Sequence, residues 1–411
     1  MAVIRPFCAV RPAVEYADKV AALPYDVYNR AEAKKEVERE PLSFLAIDRA
    51  ETQFEDSVSV YAPEVYAKAK ELFEERISQG IFVEDKQSAY YIYQLEMNGR
   101  TQTGIAACAS VDDYLDGTIK KHENTREEKE QDRIRHVDTL SAQTGPIFLA
   151  YRSRATINQL VSKIMETQEP LYDFVAADGI AHRMWKVTEE AVTTLQEAFA
   201  GIQEIYIADG HHRAASAVKV GLKRRKEHPD YDGTEEFNYF LSVLFPDDQL
   251  MIMDYNRCVK DLHGLTKEAF LKAVEECFDV TVLDGAKHPQ AKGQITMYLE
   301  NRWYLLQAKQ ELLAISDPVA ALDVSLLQEY LLKPVLGIED PRTDERIDFI
   351  GGIRGLEELE RRVKTDMTVA FAMYPTSIGE LFAVADAGLL MPPKSTWFEP
   401  KLRSGLLMHR I

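Results

Sequence analysis

Apolar and polar residues recur along this chain with the spacings of particular secondary-structure elements. Over Pro63–Gln79 the apolar residues repeat at the helical period, so an amphipathic helix is predicted there. Apolar runs flank Asn98-Gly99, a strong short-range signal for a β-hairpin, and a second hairpin is predicted over Phe174–Val187. Predicted strands and helices alternate over residues 105–225, which indicates an α/β core.

Changes in charge density and in the pattern of predicted elements along the 411 residues predict three regions. A chain of this length has room for two or three domains, each with its own core. We expect an N-terminal α+β region at 1–104, a core at 105–237 and a C-terminal α+β region at 238–411. Within the last region, Met391–Leu406 is too irregular for a helix, and we expect an ordered loop that packs near the site.

The stretch around Asp209-Gly210 combines features of an anion-binding site. The apolar run Ile205–Ile207 predicts a strand that ends there, and apolar residues at helical spacing beyond it predict a helix. Such a junction directs backbone N–H groups and the positive end of the helix dipole at one spot. The residues His211–Arg213 add donors and positive charge, so we favour a phosphate site. The alternative is a plain turn in which Asp209 caps the helix and the histidines are solvated.

A long charged run, Lys120–Arg135, follows the first predicted hairpin and has helical propensity from about Thr125. Runs of this kind are usually solvated helix faces. This one, however, starts with His122-Glu123, just ahead of a plausible N-cap at Asn124 or Thr125. Arg126 and Arg133 lie further along, where they either face bound phosphates or remain ordinary surface charges.

The composition limits the classes of partner. The formal net charge of −18 argues against a nucleic-acid backbone as the main partner. No apolar run approaches the roughly 20 residues needed to cross a bilayer, and the segment Met1–Phe7 is too short and too polar for a signal peptide. The four cysteines are far apart, which fits a reducing compartment. We therefore expect a cytoplasmic protein with neither a nucleic-acid nor a membrane partner.

Two motifs carry a resemblance to known enzymes. His122-Glu123 followed by Asp209-Gly210-His211-His212-Arg213 resembles the free serine kinases of the ParB/sulfiredoxin superfamily, which have a His-Glu pair at a helix start and this five-residue loop. The whole chain also resembles a widespread bacterial family of unknown function, through both motifs and the segments Leu23–Val27, Ser43–Leu45 and Pro393–Lys401. The resemblance implies an α/β fold, with a ParB/sulfiredoxin-like core and additional N-terminal and C-terminal α+β regions.

The kinase resemblance implies roles for the motif residues. Glu123 would be the general base, and Asp209 would lie beside the reacting hydroxyl or bind Mg²⁺. The phosphates of the donor, which is ATP, ADP or pyrophosphate, would be bound by Gly210, His211, His212 and Arg213. The secondary candidates for substrate binding are His122, Arg126, Lys394, Ser395, Thr396 and Lys401. The implied acceptor is a small hydroxylated metabolite, and free L-serine is the favoured candidate.

Other functions remain open at this point. The interval between the two motifs is longer than in the compact kinases, and the flanking regions are additional, so the acceptor does not transfer securely. A ParB-like nucleotide hydrolase or switch, and a non-catalytic module that binds a phosphate ligand, are the main alternatives. A metal hydrolase built on the histidine pair is less favoured, because adjacent histidines rarely point at one ion. The sequence contains no Walker-type motif that would indicate nucleotide binding.

Overall fold

The computed structural model describes residues 2–411 and divides them into two compact units. The first unit contains the chain up to Leu250 together with Pro400–Ile411, and the second contains Met251–Glu399. Both units combine helices with sheets, which confirms the predicted mixed α/β class.

The first unit contains strands from both ends of its sequence. Its strands are β1 (Ile4–Arg5), β2 (Ala9–Pro12), β3 (Phe82–Glu84), β4 (Tyr91–Met97), β5 (Arg100–Ser110), β6 (Ile119–Lys120), β7 (Ala142–Gln143), β8 (Ile147–Tyr151), β9 (Tyr172–Val175), β10 (Ala181–Lys186), β11 (Ile205–Asp209), β12 (Tyr239–Pro246) and β21 (Met408–Arg410). Its helices are α1 (Ala17–Val20), α2 (Arg30–Arg39), α3 (Leu45–Asp48), α4 (Pro63–Ser78), α5 (Val111–Leu115), α6 (Glu127–Leu140), α7 (Ala155–Thr167), α8 (Glu189–Ala200) and α9 (His211–Glu227).

A large sheet with the strand order β6-β11-β8-β12-β5-β4-β10-β9 dominates the first unit, and β1 pairs with β5. Strand β12 is antiparallel to β5 and parallel to β8, so it lies inside the sheet. The three expected regions therefore do not coincide with the units. The boundary at 104/105 falls inside β5, and the boundary at 237/238 separates β12 from strands to which it is hydrogen-bonded.

Two apolar clusters stabilise the first unit. One lies on the large sheet, includes Leu149 and Phe240, and is covered by α7, α8 and α9. The other includes Phe44, Phe73 and Phe82 and lies between α4 and a small sheet with the order β3-β2-β21-β7. Burial of each of these large side chains contributes roughly 1.5–3 kcal/mol. The amphipathic helix predicted at Pro63–Gln79 is thus confirmed as α4, and its apolar face forms part of this core.

Both predicted hairpins of the first unit are present. Asn98 and Gly99 join β4 to β5 with φ values of 52° and 75°, the left-handed conformation that a type I′ turn requires at both positions. Strands β9 and β10 pair in the same antiparallel way around Asp178-Gly179. Local turn chemistry was sufficient to predict these connections.

The second unit is a separate α/β assembly. Its strands are β13 (Ile252–Met253), β14 (Tyr255–Val259), β15 (Phe278–Leu283), β16 (Gln294–Leu299), β17 (Arg302–Ala308), β18 (Ile347–Gly351), β19 (Val369–Met373) and β20 (Trp397–Phe398). Its helices are α10 (Lys267–Cys277), α11 (Gln310–Leu313), α12 (Asp323–Leu327), α13 (Gly355–Thr365) and α14 (Ile378–Asp386). An antiparallel sheet with the order β15-β17-β16-β19-β14-β18 forms its centre, and an apolar cluster joins α13 to that sheet.

No helix of residues 2–411 has both the length and the hydropathy that a membrane-spanning helix needs. All four cysteines are unpaired, and Cys108 and Cys258 are buried.

Candidate active site

The turn between β11 and α9 forms a five-residue loop, Asp209–Arg213, hereafter the Asp209 loop. Gly210 adopts a φ of +92°, which other residues rarely adopt, and a Cβ atom there would lie 2.9 Å from Nε of Arg213. The register between β11 and β8 also shifts between Ile207 and Asp209, an irregularity of the kind that re-aims a side chain. Both features set the direction in which the Asp209 carboxylate leaves the sheet.

The carboxylate of Asp209 is paired with two cations. Its Oδ2 atom lies 3.2 Å from Nζ of Lys401 and 3.8 Å from Nη2 of Arg213, and its Oδ1 atom accepts the backbone N–H of Gly210 at 3.0 Å. Burial raises the pKa of Asp209, but Lys401 and Arg213 outweigh that effect and hold the pKa well below its usual range. The carboxylate is therefore ionised at neutral pH.

Helix α9 presents its first backbone N–H groups beside this ion-pair cluster. Its N-cap is Gly210, which has no side chain to cap the helix, and Ala214 donates the first hydrogen bond back to the Gly210 carbonyl. The N–H groups of residues 211–213 precede that first bond. They add to the positive end of the helix dipole, an arrangement that favours an anionic ligand.

The His-Glu pair, His122-Glu123, lies beside the first residue of α9, although 89 residues separate His122 from His211. The backbone N–H of His122 donates to Nε2 of His211 at 3.4 Å, and the two rings meet edge to face with centroids 4.5 Å apart. The Oε2 atom of Glu123 lies 3.8 Å from Nδ1 of His211. The two motifs thus form one cluster, with the partly exposed Glu123 carboxylate at its edge.

Both histidines of this cluster are neutral at pH 7. Burial lowers the pKa of His122 to about 4, against the opposing effects of Asp209 and of a nearby backbone group. Burial also lowers the pKa of His211 well below its ordinary value, and the neighbouring His122 adds to that shift. From the sequence we expected His211, His212 and Arg213 to supply positive charge, and the neutral His211 does not. The structure places the positive charge on Lys401, Arg213 and the helix terminus instead.

His212 is tied to the residue that precedes α6. Its Nε2 atom accepts the backbone N–H of Arg126 at 3.0 Å, so Nδ1 carries the hydrogen when the ring is neutral. Helix α6 begins directly after Arg126, which is the N-cap, so the predicted caps Asn124 and Thr125 were wrong. The reason is that the Thr125 hydroxyl donates to the Glu130 carboxylate at 2.6 Å instead of accepting a backbone N–H.

Polar contacts hold α6 against α9 and so keep the two motifs together. Lys219 is ion-paired with Glu130, and Nη2 of Arg224 lies 3.2 Å from a carboxylate oxygen of Asp138. The buried hydroxyl of Ser216 is 3.2 Å from the Glu130 carbonyl, to which it donates. Because both motifs stand at the N-terminal ends of these helices, the packing of the helices fixes their separation.

One ligand atom each from His122, Glu123 and His211 lies within 4.8 Å of the others, close enough to share a metal ion. Two imidazole nitrogens and one carboxylate oxygen suit a transition metal better than Mg²⁺, which prefers oxygen ligands. The Asp209 carboxylate, where the sequence suggested Mg²⁺, is already paired with two cations. These side chains do not provide the oxygen-rich site that Mg²⁺ needs.

The family model described as "Protein of unknown function (DUF1015)" matches residues 4–325 of this chain, a range that includes both motifs. The chain belongs to the DUF1015 family. This confirms the predicted membership of a family of unknown function. Among curated proteins, none matches this DUF1015 chain in sequence.

Several solved structures are similar to the DUF1015 chain at a low level. A free serine kinase variant in complex with AMP has a TM-score of 0.35 and 14% identity, over 74% of this chain and 92% of that chain. A free serine kinase variant in complex with ADP has the same TM-score and identity, over 75% and 93%. SbnI with a C-terminal truncation, from Staphylococcus aureus, has a TM-score of 0.35 and 12% identity, over 73% and 85%. At such low TM-scores, the reaction of the DUF1015 chain has to be inferred from its own residues.

The C-terminal residues predicted as secondary candidates divide between the two units. Lys401 lies in the first unit, where its ammonium group contacts Asp209. Lys394, Ser395 and Thr396 belong to the second unit. There the backbone carbonyl groups of Lys394 and Ser395 accept hydrogen bonds from side chains of the same unit. The structure therefore brings Lys401 to the Asp209 loop, whereas Lys394 and Ser395 take part in hydrogen bonds within the second unit.

Two residues beyond Lys401, Arg403 anchors the C-terminal segment in a buried cluster. Its guanidinium donates to Nε2 of His182 at 3.2 Å and to the carboxylate of Asp178, while Nδ1 of His182 lies 2.9 Å from the Tyr93 hydroxyl. Burial lowers the pKa of His182 to about 3, so the ring is neutral. No local pattern in the sequence predicts this cluster, because 221 residues separate Arg403 from His182.

Arg213 also lines a small pocket, together with residues for which no role was predicted from the sequence. Its volume is about 30 Å³, and we call it the Asp48 pocket. Besides Arg213, its polar lining consists of Tyr25, Asp48, Arg133, His136, Gln143, Thr144, Ser216 and Ser404. The segment Leu23–Val27, which carries part of the family resemblance, contributes Pro24 and Tyr25 to this lining.

Proposed function

We propose that this DUF1015 protein is a small-molecule kinase, which transfers a phosphoryl group from ATP, ADP or pyrophosphate to the hydroxyl of free L-serine. The observation that carries the proposal is the meeting of the His-Glu pair with the Asp209 loop, in which Glu123 lies 3.8 Å from His211. Phosphoryl transfer depends mainly on positioning and on charge stabilisation, together with a group that accepts the acceptor's proton. The cluster offers all three within one site.

Glu123 is the proposed general base. Its side chain is 42% exposed, so an acceptor hydroxyl can approach it, and a carboxylate takes the proton as the bond to phosphorus forms. A positioned base of this kind typically contributes about 10²–10⁴-fold to a rate. The neutral, buried His211 next to it limits the ways in which the carboxylate can turn.

The start of α9 is the proposed site for the transferring phosphates. The backbone N–H groups of residues 211–213 supply hydrogen-bond donors there. Asp209 holds Lys401 and Arg213 beside these donors before any ligand arrives. Charges that are already in place need not reorganise during the reaction, which is how preorganised sites stabilise a transition state.

Mg²⁺ enters this proposal as the counter-ion of the donor, with phosphate oxygens and water as most of its ligands. The partners are small molecules in the cytoplasm. The net charge of −18 supports a locally positive niche that selects phosphate, rather than a surface for nucleic acid.

The test is a phosphorus NMR assay of the purified chain with Mg²⁺ and L-serine, with ATP, ADP and pyrophosphate supplied in parallel. We expect O-phosphoserine from one of the three donors. The Glu123→Gln variant should lose this product by about 10²-fold or more and still bind the donor, because it lacks only the base. The matched control is Glu128→Gln on α6, whose side chain is exposed and which should react like the wild type.

Two other outcomes lead to different functions. Release of free phosphate without phosphoserine would favour a nucleotide hydrolase, and we would then withdraw the kinase. Donor binding without any turnover, unchanged in Glu123→Gln, would favour a non-catalytic phosphate-binding module.

A further inference from the structure

The Asp48 pocket contains a buried carboxylate with no cationic partner in direct contact. Asp48 is 5% exposed, and its Oδ1 atom accepts a hydrogen bond from the Thr144 hydroxyl at 2.8 Å. The nearest ring nitrogen, Nε2 of His136, lies 3.8 Å away, but burial lowers the pKa of His136 to about 4, so this ring carries no charge at pH 7. The positive charge that acts on Asp48 comes from Arg133 without direct contact, so a bound ammonium group would give this buried carboxylate a direct ionic partner.

The same pocket contains one buried cation, the guanidinium of Arg133. Its Nε and Nη2 atoms both lie 2.9 Å from Oδ2 of Asp132, and its centre lies 4.0 Å from the centroid of the Tyr25 ring, so the group is held in a fixed plane by an ion pair and a ring contact. A guanidinium has five N–H donors, and these contacts leave others for a ligand. The pocket therefore presents an anion and a cation on rigid supports.

From this arrangement we propose that the Asp48 pocket binds the acceptor as a free α-amino acid, its ammonium group on Asp48 and its carboxylate on Arg133. A volume of about 30 Å³ is two to three times the ~10–15 Å³ that one water needs, which suits a few heavy atoms rather than a nucleotide. Arg213 lines the pocket and also lies 3.8 Å from Asp209, so the bound molecule is one side chain away from the Asp209 loop. The assignment of this amino acid as the acceptor rests on the proposed kinase function.

Isothermal titration calorimetry with unmodified protein tests the charge pattern without any mutation. The probes are L-serine, L-alanine, ethanolamine and 3-hydroxypropanoate, each titrated with and without ATP. We expect L-serine and L-alanine to bind, because both carry the two charged groups. Ethanolamine lacks the carboxylate and 3-hydroxypropanoate lacks the ammonium group, so each should bind at least about 30-fold more weakly.

Variants then identify the residues. Asp48→Asn preserves the shape and the contact with Thr144, and it should weaken L-serine binding by at least about 30-fold. The matched control Asp230→Asn changes an exposed carboxylate and should bind like the wild type. Equal binding of ethanolamine or 3-hydroxypropanoate, unchanged binding by Asp48→Asn, or no binding of L-serine under either condition would each overturn the proposal.

The binding measurement also separates this proposal from the kinase. L-serine binding that depends on Asp48, without any phosphoserine in the NMR assay, would support the amino-acid pocket and reject the kinase. Phosphoserine formation with an unchanged KM for L-serine in Asp48→Asn would support the kinase and reject the pocket.

Discussion

The carboxylates of Asp209 and Asp48 are both near Arg213, which contacts Asp209 and lines the Asp48 pocket, but they are held in opposite ways. Asp209 has two cations within 4 Å, Lys401 and Arg213, and its charge is fully compensated. Asp48 has a hydroxyl group and a neutral imidazole as its direct neighbours. A compensated charge is fixed in position and can organise a reaction, whereas an uncompensated buried charge is available to a ligand. If the proposed roles are correct, substitutions of Asp209 should change the rate and substitutions of Asp48 should change the affinity.

The largest expected effect comes from exchanging each carboxylate for its amide. Asp209→Asn leaves two cations without their shared anion and should lower kcat for phosphoserine formation by about 10²–10³-fold, the range found when one preorganised group is lost. Asp48→Asn should chiefly raise KM for L-serine, because it removes a binding contact. Steady-state kinetics with varied L-serine measures both parameters. The comparison fails if the two variants change the same parameter.

The next effect is the dependence of stability on pH, which tests whether the histidines beside both carboxylates are neutral. The pKa of His122 is lowered to about 4 in the folded chain, against about 6.5 in the unfolded chain. Its contribution is present above pH 6.5 and is lost as the pH falls towards 4, since the unfolded state then binds more protons. Between pH 7 and pH 5 we expect a loss of about 2 kcal/mol from this histidine.

Urea unfolding at the two pH values measures this change. In His122→Asn the loss between pH 7 and pH 5 should be smaller than in the wild type. The control His288→Asn alters an exposed ring and should reproduce the wild-type loss. Equal pH dependence in all three proteins would mean that His122 titrates normally and that charge compensation near Asp209 is different from that described above.

A smaller effect is expected at the corner of the Asp209 loop. Gly210→Ala forces a side chain into a φ of +92° and places its Cβ 2.9 Å from Arg213, so we expect about 1–2 kcal/mol of lost stability and a fall in kcat. The matched control is Gly99→Ala, where φ is +75° but nothing lies within 4 Å of the added Cβ. The control should lose stability and keep its activity. Equal losses of activity in both would show that the contact with Arg213 is unimportant.

The smallest effect is expected at the anchor of the C-terminal segment. Arg403→Lys keeps a charge near Asp178 but cannot contact His182 at the same time, because an ammonium group lacks the guanidinium's planar fork. We expect about 1 kcal/mol of lost stability and a few-fold fall in kcat, since Lys401 is two residues away. Unfolding and kinetic measurements on this variant test both. An unchanged kcat would show that Arg403 does not position Lys401.

Elements with a local signal were predicted well. The turn residues Asn98-Gly99 require a particular backbone conformation, and the structure has it. The helix after Gly210 followed from the spacing of its apolar residues, and its 17 residues are present as α9. Local competition caused one error. The start of α6 was misplaced because the Thr125 hydroxyl bonds to Glu130.

Helix α14 shows that a signal can be present and still be missed. Ser377 and Glu380 form a reciprocal capping box. Their spacing is a known sequence signature of a helix N-terminus, yet no helix was predicted there. In contrast, no local pattern pairs Lys401 with Asp209 over 192 residues or Thr144 with Asp48 over 96 residues. Such contacts depend on the assembled sheet. The resemblance to a known family supplied the motif residues, and the fold supplied the residues around them.

The position of β21 determines the order in which the two units can complete their folding during synthesis. This strand, Met408–Arg410, lies between β2 and β7 in the small sheet, while residues 251–399 form the second unit without interruption. On the ribosome, the second unit is complete in sequence while the first still lacks one inner strand. We expect the nascent first unit to expose the edges of β2 and β7 during that interval and to need protection from aggregation. Lys401 also follows the second unit in sequence, so its ion pair with Asp209 can form only after that unit has been made.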